Sequence, residues 1–236
     1  MERQLSQLVE RLRQAYQDRL VSVILYGSAA GGDHHARFSD FNVLCVLRQV
    51  TPRELAECGA IFRWWREQGN PAPLLLSAEE VRTSTDCFPI EFHDIQERRR
   101  VLYGEDAVAD LQIDESFYRA EVEHELRAKL LRLRQKAAGV LADKELLREL
   151  LVDSVSTFCV LLRHALRLAG YEAPFGKRDV VRQAREKFGF DASPFEKLLD
   201  LREGKIKPRE LDPGPAFAGY IQSLEAVIAA VDRLEK

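Results

Sequence analysis

From residue 3 to residue 19 apolar side chains fall at Leu5, Leu8, Val9, Leu12 and Tyr16, the three-to-four-residue rhythm of a helix with one buried stripe. The rhythm then shortens. Val21, Val23, Ile24, Leu25 and Tyr26 form a β-rich run that stops at Gly27-Ser28, and a second run (Phe41, Val43, Leu44, Val46, Leu47) begins directly after Ser39-Asp40. Two neighbouring strands joined by a small-residue, glycine-rich excursion are predicted. Thr51-Pro52-Arg53-Glu54 has the form of a capping box with proline at the first helical position; its helix is expected to turn Leu55, Cys58, Phe62 and Trp65 inward and to stop at Gly69. Pro71 and Pro73 interrupt the chain before a short strand at 74–76, and Ser77-x-x-Glu80 caps a short helix. Residues 88–95, FPIEFHDI, alternate and are expected as a strand, with Glu91 and His93 on one face and Ile90, Phe92 and Asp94 on the other.

Beyond about Asp114 the β-branched runs give way to Leu, Ala, Arg and Glu at helical spacing. Long helices are predicted at 115–141 and 144–169, the second with Gly170 as its C′ residue. A third is expected at 177–188, stopped by Gly189, and a short fourth after Ser193-Pro194-Phe195-Glu196. After Asp212-Pro213-Gly214-Pro215, a last helix over 216–236 carries Tyr220, Leu224, Val227, Ile228, Val231 and Leu234 on one stripe. The fold class expected is therefore α+β: a small mixed β-sheet domain at 1–108 followed by an all-α helical bundle at 109–236, a bundle of about five helices.

At 236 residues the chain is long enough for a proper core, and 46% hydrophobic with 31% charged residues is ordinary for a globular protein. A formal charge of −3 argues against a protein that coats nucleic acid. Four cysteines (Cys45, Cys58, Cys87, Cys159) have no paired spacing, and buried free thiols in a reducing cytoplasm are expected. No apolar run approaches the length of a membrane span, and the N-terminus reads as a polar amphipathic helix rather than a signal peptide.

The chemistry concentrates around the first two strands. Gly27 permits a tight turn, and Ser28 can offer a hydroxyl and an amide to a phosphate. Asp40 and Asn42 stand two apart on a strand, so both side chains leave the same face. Two oxygen donors beside a phosphate grip suit a hard cation such as Mg²⁺ carried by a nucleotide.

The stretch resembles the signature of the nucleotidyltransferase superfamily, whose small members include the kanamycin nucleotidyltransferases and the minimal nucleotidyltransferases. Strand, Gly27-Ser28, the continuation Ala29-Ala30-Gly31-Gly32-Asp33, then Ser39-Asp40 opening the next strand match in order and spacing. The helical second half is similar, by architecture, to the helical half of kanamycin nucleotidyltransferases and to HEPN partners of the minimal enzymes. The resemblance implies Asp40, Asn42 and Glu91 as the ligands of Mg²⁺ (or Mn²⁺), with Asp94 the fallback for Glu91. It implies Asp40 and Glu91 as the catalytic carboxylates, and Gly27 and Ser28 as the grip on the terminal phosphates of ATP or another NTP. Lys177, beside Arg178 at a helix start, is a further candidate to meet the triphosphate. The acceptor implied is a hydroxyl on a small molecule, as for antibiotic-modifying relatives, or on a protein. Asn42 departs from the pattern, which has a second aspartate there. A slow enzyme, compensation by Asp33 or Asp94, and a domain that only binds nucleotide or serves as an interaction module all stay open.

Other features have plainer readings. His34-His35 lack a third ligand at matching spacing and read as a solvated loop. Arg98-Arg99-Arg100 can clamp a triphosphate but read first as a solvated face following a strand, with one arginine reaching the cleft as the alternative. Trp64-Trp65 are expected as one core ring and one partly exposed. Arg119 and His124 match the spacing of a HEPN ribonuclease motif, the basis for an alternative toxin–antitoxin reading, but sit on the first helix of the bundle. A dimer is compatible with the sequence, which does not fix the oligomeric state.

Overall fold

The N-terminal stripe folds as α1 (Glu2–Tyr16), burying Leu5, Leu8, Leu12 and Tyr16. Gln17 takes a positive φ of 52° and a single 3₁₀ turn, Gln17–Arg19, leads into β1 (Leu20–Tyr26). The rest of the first half comprises β2 (Asn42–Leu47), α2 (Pro52–Glu67), β3 (Leu74–Ser77), α3 (Ala78–Thr83), α4 (Pro89–Glu97) and β4 (Arg99–Gly104). The structure is a computed structural model describing residues 2–31 and 41–234. Its chain divides into two compact units, Met1–Phe117 and Tyr118–Lys236.

The four strands make one mixed sheet in the order β3-β2-β1-β4, antiparallel on both sides of β1 and parallel between β2 and β3. Alternation along the strands gives the sheet two apolar faces. Val23, Leu25, Val43, Cys45 and Leu47 pack under α1 and under Cys58, Ile61 and Trp65 of α2. Ile24, Leu44 and Val46 pack instead with Val81 of α3, with Phe92 and Ile95 of α4, and with Val108. β4 closes at Gly104 with φ +77°, where a Cβ would overlap the Val21 carbonyl oxygen.

Two expectations are corrected here. Residues 88–95 are not a strand but most of α4. Pro89 sits at the first helical position, where its missing N–H is no loss, and Phe88 before it is non-helical at φ −129° and ψ 49°. The alternating letters also contain helical spacing, for Phe92 and Ile95 are three apart and both buried. Arg98-Arg99-Arg100 accordingly follow a helix. In α2, Leu55 is 53% exposed, and it is the Glu54 side chain that turns in with Cys58, Ile61 and Trp65. Glu54 accepts from the Thr51 N–H at 3.1 Å and from Arg19 at 2.6 Å, and these bonds rotate it toward the sheet.

The second unit contains α5 (Tyr118–Ala138), α6 (Lys144–Leu168), α7 (Lys177–Phe188), α8 (Ser193–Arg202) and α9 (Pro213–Asp232). α6 is its axis and touches each of the others. Asp143 caps it by accepting from the N–H groups of Glu145 and Leu146, and Gly170 and Gly189 take left-handed conformations just past α6 and α7. The rings of Phe158, Tyr220 and Phe195 meet edge-on in the core, Phe195 and Tyr220 at 4.7 Å between centroids. Mixed sheet first and helical unit second make the fold α+β.

Candidate functional site

The central strand β1 ends at Tyr26, and the chain turns at once through Gly27, whose φ of +76° is a conformation that side-chain-bearing residues avoid. Gly27–Gly31 form a 3₁₀ turn. On one side the Gly27 N–H donates to the Arg98 carbonyl at 2.9 Å, extending by one step the β1–β4 ladder that pairs Tyr26 with Arg99. On the other, Tyr26 pairs with Asn42, and the Asn42 amide nitrogen stands 3.4 Å from where a Gly27 Cβ would be. Ser28 is exposed, and a Cβ at Gly31 would overlap the Arg98 guanidinium. The turn is thus held between the first residue of β2 and the residue that ends α4, and α4 packs against it.

Strand alternation puts Asn42 on the same face as Leu44 and Val46, the face that α4 covers. Glu91, in the first turn of α4, is exposed. Burial, with the Glu91 charge nearby, pushes the Tyr26 hydroxyl up to about 12. Of the residues singled out in the sequence, Gly27, Ser28 and Asn42 come together at the end of β1, and the charge of Glu91 is felt at Tyr26 beside them. Glu91 arrives from a helix, and β4, the strand beside β1, carries no carboxylate. Asp94 lies in the middle of α4, its carbonyl accepting from the Arg98 N–H at 3.3 Å. His93 is buried with Nε2 3.0 Å from a Glu115 carboxylate oxygen. Asp40, Asp33 and His34-His35 lie outside the described residues.

The three arginines separate completely. Arg99 donates to Asp106 at 2.9 and 3.0 Å and to the Gln96 carbonyl at 2.6 Å, and Arg100 pairs with Glu2 at 3.0 Å. Arg98 alone lies on the Gly27–Gly31 turn. Sequence reasoning grouped the three because the start of β4 was not visible; alternation within a strand sends neighbours to opposite faces.

Lys177 opens α7 in the helical unit, where its Nζ donates to Ser156 Oγ at 2.9 Å. Burial pushes the neighbouring Cys159 thiol up to about 12, with Lys177 and Arg202 acting in the opposite direction. Arg178 is held by Asp200 at 2.7 Å and Glu203 at 2.8 Å. Trp65 is core, and Trp64 lies under the Arg11 guanidinium at 4.3 Å. Arg119 pairs with Glu123 at 2.9 Å, and His124 is exposed.

The donors around Tyr26, the Asn42 amide oxygen and the Glu91 carboxylate, are oxygens only, the chemistry a hard cation takes. Among the described residues no three His, Cys, Asp or Glu side chains cluster as a ready-made metal site. None of the helices among the described residues is long and apolar enough to cross a membrane.

No family model and no curated protein matches the chain. Among solved structures, the spectinomycin adenyltransferase AAD(9) from Enterococcus faecialis, crystallised with ATP and spectinomycin, is similar in fold: TM-score 0.63 at 13% identity, over 95% of this chain and 99% of that one.

Proposed function

We propose that the protein binds a Mg²⁺–nucleoside triphosphate, ATP or another NTP, at the end of β1 and transfers the nucleoside monophosphate to a hydroxyl of a small molecule or protein. The observation that carries this reading is the exposed Gly27-Ser28 turn with Asn42 against it at the end of β1, packed by the helix whose first turn bears Glu91. The shared fold with an adenyltransferase crystallised with ATP and a small-molecule acceptor supports it. Ser28 and the backbone of the turn would hold the terminal phosphates; Asp40, Asn42 and Glu91 would hold the metal. When bound, Mg²⁺ neutralises the triphosphate and polarises the reacting phosphoryl group. Glu91 accepts the proton of the acceptor hydroxyl as its oxygen bonds to the α-phosphorus, and the bond to the bridging oxygen breaks to release pyrophosphate. The test is pyrophosphate release from ATP with a metal titration and a panel of hydroxyl-bearing acceptors; release that Asp40→Ala abolishes supports transfer.

A second reading, a nucleotide-binding module without turnover, is favoured by one feature. Asn42 presents an uncharged amide beside Gly27, where the resembling pattern has a second carboxylate to supply charge. Saturable Mg²⁺–ATP binding without pyrophosphate from any acceptor decides for this second reading.

A further inference from the structure

We propose that Arg98 binds the terminal phosphates of the nucleotide and makes the Gly27–Gly31 turn selective for triphosphates over monophosphates. The inference rests on the nucleotide-binding reading above and adds a residue to that site.

Three observations point to it. The first is the backbone bond from Gly27 N–H to the Arg98 carbonyl at 2.9 Å, which ties the arginine to the turn independently of its side chain. The second is the close approach at Gly31, where any Cβ would overlap the guanidinium, so glycine is what lets the cation lie against the turn. The third is the shape of the turn itself. With about three residues per 3₁₀ turn, Ser28 and Gly31 lie on the same side, about 6 Å apart along the axis. A guanidinium against Gly31 is therefore in line with the exposed Ser28 hydroxyl. The fork of its N–H donors matches two phosphate oxygens. Arg99 pairs with Asp106 and Arg100 with Glu2, so neither lies on this turn.

A monophosphate reaches only one end of such a line; a triphosphate spans it. The experiment is equilibrium titration of the full-length protein, in Mg²⁺, with ATP, ADP and AMP, for wild type, Arg98→Gln, Arg98→Lys and Gly31→Ala. Arg98→Gln is expected to weaken ATP by about 10- to 100-fold, the scale of a charge-assisted hydrogen bond, and AMP by less than about twofold. Arg98→Lys keeps the charge but not the fork, and is expected to lose less. Gly31→Ala keeps Arg98 and displaces its guanidinium, so it should lose ATP affinity in the same direction. Equal losses for ATP and AMP, or unchanged ATP binding in Arg98→Gln, overturn the proposal while leaving the site itself standing. Should Arg98→Gln misfold, Gly31→Ala and Arg98→Lys decide. A wild type that binds none of the three nucleotides removes both readings together.

Discussion

Asn42 supplies an oxygen without a charge, and its amide nitrogen faces Gly27. Asn42→Asp adds a carboxylate beside the Gly27 turn and is expected to tighten Mn²⁺ binding on the order of tenfold, since hard-cation affinity follows ligand charge; metal titration by electron paramagnetic resonance measures it. Glu54 makes a different kind of residue-scale prediction. The Thr51 hydroxyl, then Arg19, hold its carboxyl down to about 2 against an ordinary 4.5. A carboxyl depressed on folding stabilises the protein above its unfolded value and stops doing so as the folded value is passed. Stability should therefore fall as pH drops from about 4.5 toward about 2, and Glu54→Gln should flatten that part of a urea-midpoint profile. Neither neighbour relation was fully legible in the sequence. The spacing of α2 selected Leu55 for the core; Arg19, thirty-five positions away from Glu54, reversed the choice. Gly27, Ser28 and Asn42 were legible because a strand, a turn and a strand fix them locally.

At the level of elements, both signature strands, the capping boxes at Thr51 and Ser77 and the helices closed by Gly170 and Gly189 follow from local chemistry and were visible in advance. α4 was not. Phe88, Ile90 and Phe92 alternate, and only Pro89 together with Ile95 distinguishes a helix packed on a sheet from a half-buried strand. That left undecided which of the three arginines meets the turn, because a residue that ends a helix looks from sequence like any other in a basic run. β4 carries its own test. Gly104 combines φ +77° with a backbone approach to Val21 that excludes a side chain. Gly104→Ala is expected to cost about 1–3 kcal/mol from backbone strain alone, with further loss from the overlap, measured by denaturant unfolding. Because β4 and α4 flank the same turn, that variant should also weaken nucleotide binding.

The whole molecule consists of two units with separate cores, one built on the faces of the sheet and one around α6 and its aromatic trio. Both tryptophans, Trp64 and Trp65, belong to the first unit, so fluorescence reports the sheet while far-ultraviolet circular dichroism weights the helices. Phe195→Ala removes a fully buried ring from the helical core and is expected to cost about 3–5 kcal/mol, seen as an early loss of helical signal with the tryptophan transition less affected. The order of the two units was readable from the change in composition near Asp114. The assembly of Gly27, Asn42, Arg98 and Glu91 was only partly so, since it depends on which elements the sheet brings beside β1. The most direct test of that assembly is calorimetric titration of the full-length protein with ATP in Mg²⁺. The account predicts one saturable site per chain with an affinity between about 1 μM and 1 mM, the usual span for enzyme substrates; no saturable heat up to about 10 mM ATP, ten times the top of that span, would contradict it.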